Sequence, residues 1–167
     1  MADTGFRYAG TVGASGWTNP NNIGGTPDAV YATASGLWTT IDAPCLRYSG
    51  SLLGSAKSAV SMPTSVADVT LGGSTDLWGA ELTSSIVNSS TFGFLCSPGA
   101  EITVTNYGFS VPSGATINGV EVVFRGYRNT LRIVTRYVDS IGIKIYYTEG
   151  GSPAFVLHNL SITGCGI

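Results

Sequence analysis

Residues 107–144 read YGFSVPSGATINGVEVVFRGYRNTLRIVTRYVDSIGIK, and the period of their apolar residues decides the fold. Val120, Val122 and Phe124 alternate with Glu121, Val123 and Arg125, and Ile141, Ile143, Ile145 and Tyr147 alternate with Gly142, Lys144, Tyr146 and Thr148. Successive side chains of an extended chain point to opposite faces, so a period of two with one apolar set predicts two strands, each with one buried face. Ahead of them, Tyr107-Gly108-Phe109-Ser110-Val111 reads as a further extended run. Pro112 ends it, because a fixed φ and a missing donor take the chain out of any central ladder. Ser113-Gly114 and Asn118-Gly119 then supply residues for two tight turns. The expectation is a strand, a tight corner and a return.

Working outward, the rest of the chain keeps this character. Trp17-Thr18-Asn19-Pro20-Asn21-Asn22-Ile23 carries Asn-Pro turn chemistry and reads as a loop, and residues 29–34 resume an extended course. Leu37-Trp38-Thr39-Thr40-Ile41 and Cys45-Leu46-Arg47-Tyr48 read as two short strands divided by Asp42-Ala43-Pro44. Residues 51–60 place Leu52, Leu53, Ala56, Ala59 and Val60 at near-helical spacing, which predicts one short helical turn, and residues 84–90 predict another. No stretch supports a long amphipathic helix. The fold class predicted is all-β, an antiparallel β-sandwich with long loops and at most one or two short helical turns. Residues 1–16 read as an extended, glycine-rich N-terminal arm, 17–160 as a single sandwich domain and 161–167 as a C-terminal tail. Phe6 and Tyr8 are the arm's candidate contacts with a neighbouring subunit.

Composition bears on what such a domain does. A chain of 167 residues suffices for one domain hiding roughly two thirds of its unfolded surface. Hydrophobic residues make up 43%, which argues against disorder, while only 11% are charged, against about 25% in an ordinary soluble domain. Sparse charge resists association poorly, so the expectation is an assembled subunit with much of its surface covered by partners. A net charge of −2 makes nucleic acid a poor partner. The sequence shows no apolar run near about 18 residues and no basic segment followed by an apolar core, so neither a membrane span nor a secretory leader is expected. Asn88-Ser89-Ser90 and Asn159-Leu160-Ser161 match the glycosylation sequon, which needs a secretory route to matter.

Chemistry-bearing motifs are few. The single histidine, His158, sits among Phe155, Val156, Leu157 and Leu160 with no nucleophile or metal motif around it. Acidic residues are dispersed singly, and no phosphate-binding glycine loop or nucleophile elbow is present. The expectation is no enzyme activity, no metal and no cofactor. Cys45, Cys96 and Cys165 are widely spaced and read as buried free thiols, with one disulfide left open. Arg125, Arg128, Arg132 and Arg136 fall close together, and the spacing of the last three puts them on one face of the chain. They are candidate contacts for acidic groups of another protein, because guanidinium forks bind carboxylates in pairs of hydrogen bonds. Trp17, Trp38 and Trp78 are candidates for an alternative role, stacking on sugar rings.

The runs YGFSVPSGATINGVEV and VDSIGIKIYYT, with WTNPNNI, DAVYATA and DLWGAELTSSIVNSSTFGF before them, resemble jelly-roll virion proteins of tailed bacteriophages, a group that includes head decoration proteins. The resemblance covers roughly residues 17–148. It implies a jelly-roll sandwich and a structural role as a capsid decoration or cement protein, made in the host cytoplasm and carried on the capsid surface. It implies a homotrimer bound to the major capsid protein or another virion protein. A tail, baseplate or fibre protein with a receptor- or carbohydrate-binding role is the alternative.

Overall fold

The structure, a computed structural model, describes residues 1–97 and 100–150. In chain order its elements are β1 (Ala2–Asp3), β2 (Arg7–Tyr8), β3 (Thr11–Ala14), a 3-10 turn (Pro20–Ile23), β4 (Ala32–Gly36), β5 (Thr40–Tyr48), β6 (Ser51–Leu53), β7 (Val60–Ser61), β8 (Ala67–Gly72), α1 (Ser84–Val87), β9 (Gly93–Ser97), β10 (Ile102–Thr105), β11 (Thr116–Arg128) and β12 (Val134–Thr148). The two runs with a period of two are β11 and β12, and they pair antiparallel along nearly their whole length.

This hairpin is the spine of the first sheet. One edge of β11 takes β8. The far edge of β12 is covered in succession by three short strands from the start of the chain: β4 beside Val134 to Val138, β2 beside Gly142 and Ile143, and β1 beside Tyr146 and Tyr147. The second sheet runs β3-β10-β9-β5-β6, with β7 also on β5. All these pairings are antiparallel. The expected all-β sandwich with few helical turns is what the chain forms. Its core lies between the inner faces, where Val120, Val122, Phe124, Ile141, Ile143 and Ile145 of the first sheet share one apolar cluster with Ile41, Leu46, Phe94, Cys96, Ile102 and Val104 of the second. Burying a side chain of this size contributes roughly 1.5–3 kcal/mol, so this cluster is the main source of stability.

Several local readings are corrected. Residues 1–16 are extended but do not stand away from the domain, since β1 and β2 pair with β12 and β3 pairs with β10 in the other sheet. The first strands thus tie both sheets together. Residues 51–60 hold no helical turn: β6 pairs with β5, because the near-helical spacing of Leu52 and Leu53 is overridden by a tight Ser49-Gly50 reversal, both residues having positive φ. Asp42-Ala43-Pro44 does not divide two strands. It is an irregularity inside β5, where Ala43 takes a φ of 44° and the register against β9 skips from Asp42 to Cys45. Tyr107, Phe109 and Val111 are not a strand but a buried loop, with the Tyr107 and Phe109 rings stacked 5.7 Å apart. Asn118-Gly119 is a bulge within β11 rather than a turn. Glycine is required there, since a Cβ on Gly119 would lie 2.3 Å from the Gly73 carbonyl oxygen. The second predicted helical turn is present as α1, its N-terminus capped by Thr83, whose hydroxyl accepts from the Ile86 amide.

Candidate functional site

The second bulge in the central hairpin sets up the most unusual site among the described residues. The register passes from Arg125 opposite Ser140 to Gly126 opposite Val138, leaving Asp139 as the extra residue on β12. A slip of one residue moves every later side chain to the other face. Ile145, Ile143 and Ile141 face the core, and continuing their alternation would send Val138, Arg136 and Val134 outward. After the bulge these three face inward and are buried, while Tyr137 and Thr135 lie partly exposed on the outer face. The bulge is held by ion pairing and hydrogen bonding. Asp139 is 2% exposed, its carboxylate lies 3.4 Å from the Arg125 Nε, and it accepts a hydrogen bond from the Asp28 amide.

Arg136 therefore occupies a position meant for an apolar side chain, at the end of the core, with 1% of its surface exposed. Its guanidinium carbon lies 5.9 Å from the centre of the Trp17 ring and 5.6 Å from that of Trp38. Both contacts lie near the outer limit of cation–π attraction. Trp17 is buried and donates from its indole to the Ala100 carbonyl. Trp38 is 48% exposed and closes the stack from outside. Gly36 makes room for it: a Cβ there would meet the Trp38 ring at 2.6 Å and come within 3.4 Å of the Arg136 Nη2. Among the described residues, neither Nε nor Nη1 of Arg136 finds a hydrogen-bond acceptor. Burial lowers its pKa, yet a guanidinium keeps its charge inside proteins.

The neighbouring arginines divide by face. Arg128 lies opposite Arg136 across the ladder, with its Nε also lacking a partner among the described residues, its Nη1 donating to the Asn129 carbonyl and its amide donating to that of Pro63. Arg132 is exposed on the turn that joins the two strands. Arg125 is on the outer face, paired with Asp68 as well as Asp139. Of the single face expected for Arg128, Arg132 and Arg136, Arg128 and Arg136 share the inward face as direct partners across the ladder, whereas Arg132 departs from it because the chain reverses there. No carboxylate among the described residues lies within ion-pair distance of Arg128, Arg132 or Arg136.

Around this charge the surface is apolar. Asn129 shapes the turn: its side-chain oxygen accepts from the Leu131 and Thr135 amides, and its own amide donates to the Thr135 carbonyl. Leu131 and Ile133 are thereby left 68% and 64% exposed. Gly36 pairs with Val134, so the turn that follows it, with Leu37 at 78% exposure and Trp38, lies beside Ile133. Leu37 and Trp38 follow Gly36, and Leu131 and Ile133 precede its partner Val134, so these four exposed apolar residues, the apolar rim, lie at the same end of the sheet as Arg132, with Trp38 against Arg136. The sequence reading missed the rim and the inward turn of Arg136. The alternation of Val134, Arg136 and Val138 was the signal, but it is out of step with Ile141 until the bulge is known.

The other candidates lie elsewhere. Trp78 is buried near the far end of β11, donating to the Val120 carbonyl at 2.9 Å beneath the Lys57 ammonium, so the three tryptophans do not converge. Phe6 packs under the Lys144 ammonium at 4.2 Å, and Tyr8 lies against Gly142 of its own chain. On the outer face, Tyr127 and Tyr137 stack at 4.5 Å and Tyr31 meets both edge-on, at 5.5 Å and 6.2 Å. Asn88, one of the sequon residues, is tied down by donating to and accepting from the Val111 backbone. Cys45 and Cys96 are buried free thiols. His158, Cys165, Asn159 and the tail lie outside the described residues. In comparisons with known proteins, the chain matches no family model, no curated protein and no solved structure.

Proposed function

We propose that this chain is a non-enzymatic virion structural protein, a capsid decoration or cement protein that stabilises a phage head through contacts between subunits. The observation that carries the reading is the apolar rim of Leu37, Trp38, Leu131 and Ile133 at one end of a domain with only 11% charged residues. Exposed apolar side chains gathered at one place mark interaction surfaces. Burying them across a joint between shell proteins favours the assembled state over the separated one. The phage assignment comes from the sequence resemblance, as do the homotrimer and the major capsid protein as partner. β1 to β3 are used up in the chain's own sheets, so the contact with a neighbour falls to the hairpin end rather than to Phe6 and Tyr8.

The test is the copy number of the chain in purified particles, by quantitative mass spectrometry against the major shell protein. Hundreds of copies per particle support head decoration. A few to a few dozen move the chain to a tail, baseplate or fibre, and absence from particles removes the virion reading. One observation favours a receptor- or carbohydrate-binding role in that second setting: the half-buried rings of Tyr31, Tyr127 and Tyr137 on the outer face, next to Arg125. Aromatic faces beside polar side chains suit sugar rings. Glycan-array binding abolished by Tyr127→Ala would establish it.

A further inference from the structure

The buried guanidinium of Arg136 breaks a rule that folded proteins keep closely, since buried polar groups are almost always hydrogen-bonded. Among the described residues two of its nitrogens lack acceptors, it faces Arg128 across the ladder, and the contacts that compensate it are two distant ring contacts. Like charges directly opposite one another destabilise a sheet. Local rules broken with no evident gain within the fold concentrate at functional sites.

We propose that the hairpin end is a docking site for a carboxylate of a partner protein, with Arg136 as the buried anchor, Trp17 and Trp38 as its walls and Leu37, Leu131 and Ile133 as the apolar rim. The assignment rests on the reading of this chain as a docking subunit, but not on the virion assignment. The guanidinium fork suits the two oxygens of a carboxylate. Its neighbours select a protein over a polyanion: the rim is apolar, and the chain carries a net charge of −2. The partner segment is therefore an Asp or Glu flanked by aliphatic side chains. Trp38 is the movable wall. It is half-exposed and lies on a turn, and a change of its rotamer uncovers the guanidinium edge it now closes. Arg132 and Arg128 add positive potential at the mouth, which speeds encounter with an acidic surface.

The experiment titrates the full chain with two short peptides, acetyl-Leu-Glu-Leu-amide and acetyl-Leu-Gln-Leu-amide, and with inorganic phosphate, following the Arg136 Nε–H resonance and tryptophan fluorescence. The glutamate peptide is expected to shift the Arg136 resonance in a saturable way, at least tenfold more tightly than the glutamine peptide and than phosphate. Trp38→Ala, at a half-exposed position, is expected to weaken binding several-fold. Arg136→Met is expected to abolish the preference for glutamate while leaving the circular dichroism spectrum and cooperative unfolding intact. If the concentrated protein shows the same Arg136 shift without peptide, and Arg136→Met abolishes its self-association, a second copy supplies the carboxylate and the site stands. Equal binding of the two peptides, phosphate binding as tight as the glutamate peptide, or glutamate-peptide binding unchanged in Arg136→Met would overturn the proposal. The particle copy number is independent of each of these results, so failure of the site and failure of the virion reading are told apart.

Discussion

Replacing Arg136 by methionine should make this protein more stable. In the wild type, two donors are buried without acceptors among the described residues, and each such group costs about 1–3 kcal/mol. The substitution removes both, a gain of roughly 2–6 kcal/mol, and it also removes the like charge opposite Arg128. Against this stand the two ring contacts, at 5.9 Å and 5.6 Å, near the limit where a cation still feels an aromatic face. They are worth about 0.5–2 kcal/mol each. The methionine thioether recovers about 0.3–1.5 kcal/mol per ring, and its unbranched chain follows the path of the arginine stem. The midpoints of these ranges give a net gain of about 3 kcal/mol, which in a domain of this size is a rise of about 6–12 °C in Tm. Differential scanning calorimetry and urea unfolding at low protein concentration measure it, with Arg132→Met at the exposed turn as a control that should shift Tm by less than about 2 °C. A fall in Tm on Arg136→Met, with the control unchanged, would refute the reasoning, because it would mean that the guanidinium is already satisfied within the fold.

Further expectations can be checked with the same material. Gly36→Ala places a Cβ 2.6 Å from the Trp38 ring, so the ring should leave the guanidinium, shifting tryptophan emission to the red at a stability cost of no more than about 1 kcal/mol; an unchanged spectrum would contradict the stack. Cys45 and Cys96 are buried, and burial raises both thiol pKa values. In a Cys165→Ser background neither should react with a thiol reagent until urea unfolds the chain, and labelling of the native protein would count against the core described above. Burial pushes the Asp76 carboxyl up, but hydrogen bonds from Lys57 and the Trp78 amide, with the Lys57 charge, more than reverse this and leave it below the usual carboxylate value. A group lowered in the folded state stabilises above its unfolded pKa and loses that contribution as pH falls through the folded one. The urea midpoint should therefore drop below about pH 4, and drop less in Lys57→Met; identical acid profiles would remove the pair from the account.

What could be read without the structure was what local physics dictates. Val120, Val122 and Phe124, and Ile141, Ile143 and Ile145, announce two strands with one buried face because side-chain direction in an extended chain depends on position parity alone. The short turn near Ser84 and the burial of Cys45 and Cys96 were also legible from local composition, as was the absence of any long helical period, whereas the free state of these two thiols, against an open disulfide, and the Thr83 cap came from the structure. Readings failed where a distant partner overrode the local signal. Leu52 and Leu53 joined a strand because β5 offered a ladder, and Asn118-Gly119 became a bulge because Gly73 lies against it.

The site shows the division most sharply. That arginines cluster near residues 125–136, and that the chain is rich in tryptophan and poor in charge, belongs to the sequence. Only the tertiary structure decided which arginine is buried. Asp139 is extruded as a bulge because Arg125, Asp28 and the facing strand hold it there, and that single extra residue exchanges the faces of everything between it and the turn. Trp17 and Trp38 reach Arg136 from other parts of the chain, because β4 pairs with β12 and carries the turn that bears Trp38 to the hairpin end. Parity is local and can be counted along a sequence. Register is a property of two strands together, and it is register that turned Arg136 toward the core, at the end of the sheet that carries the apolar rim.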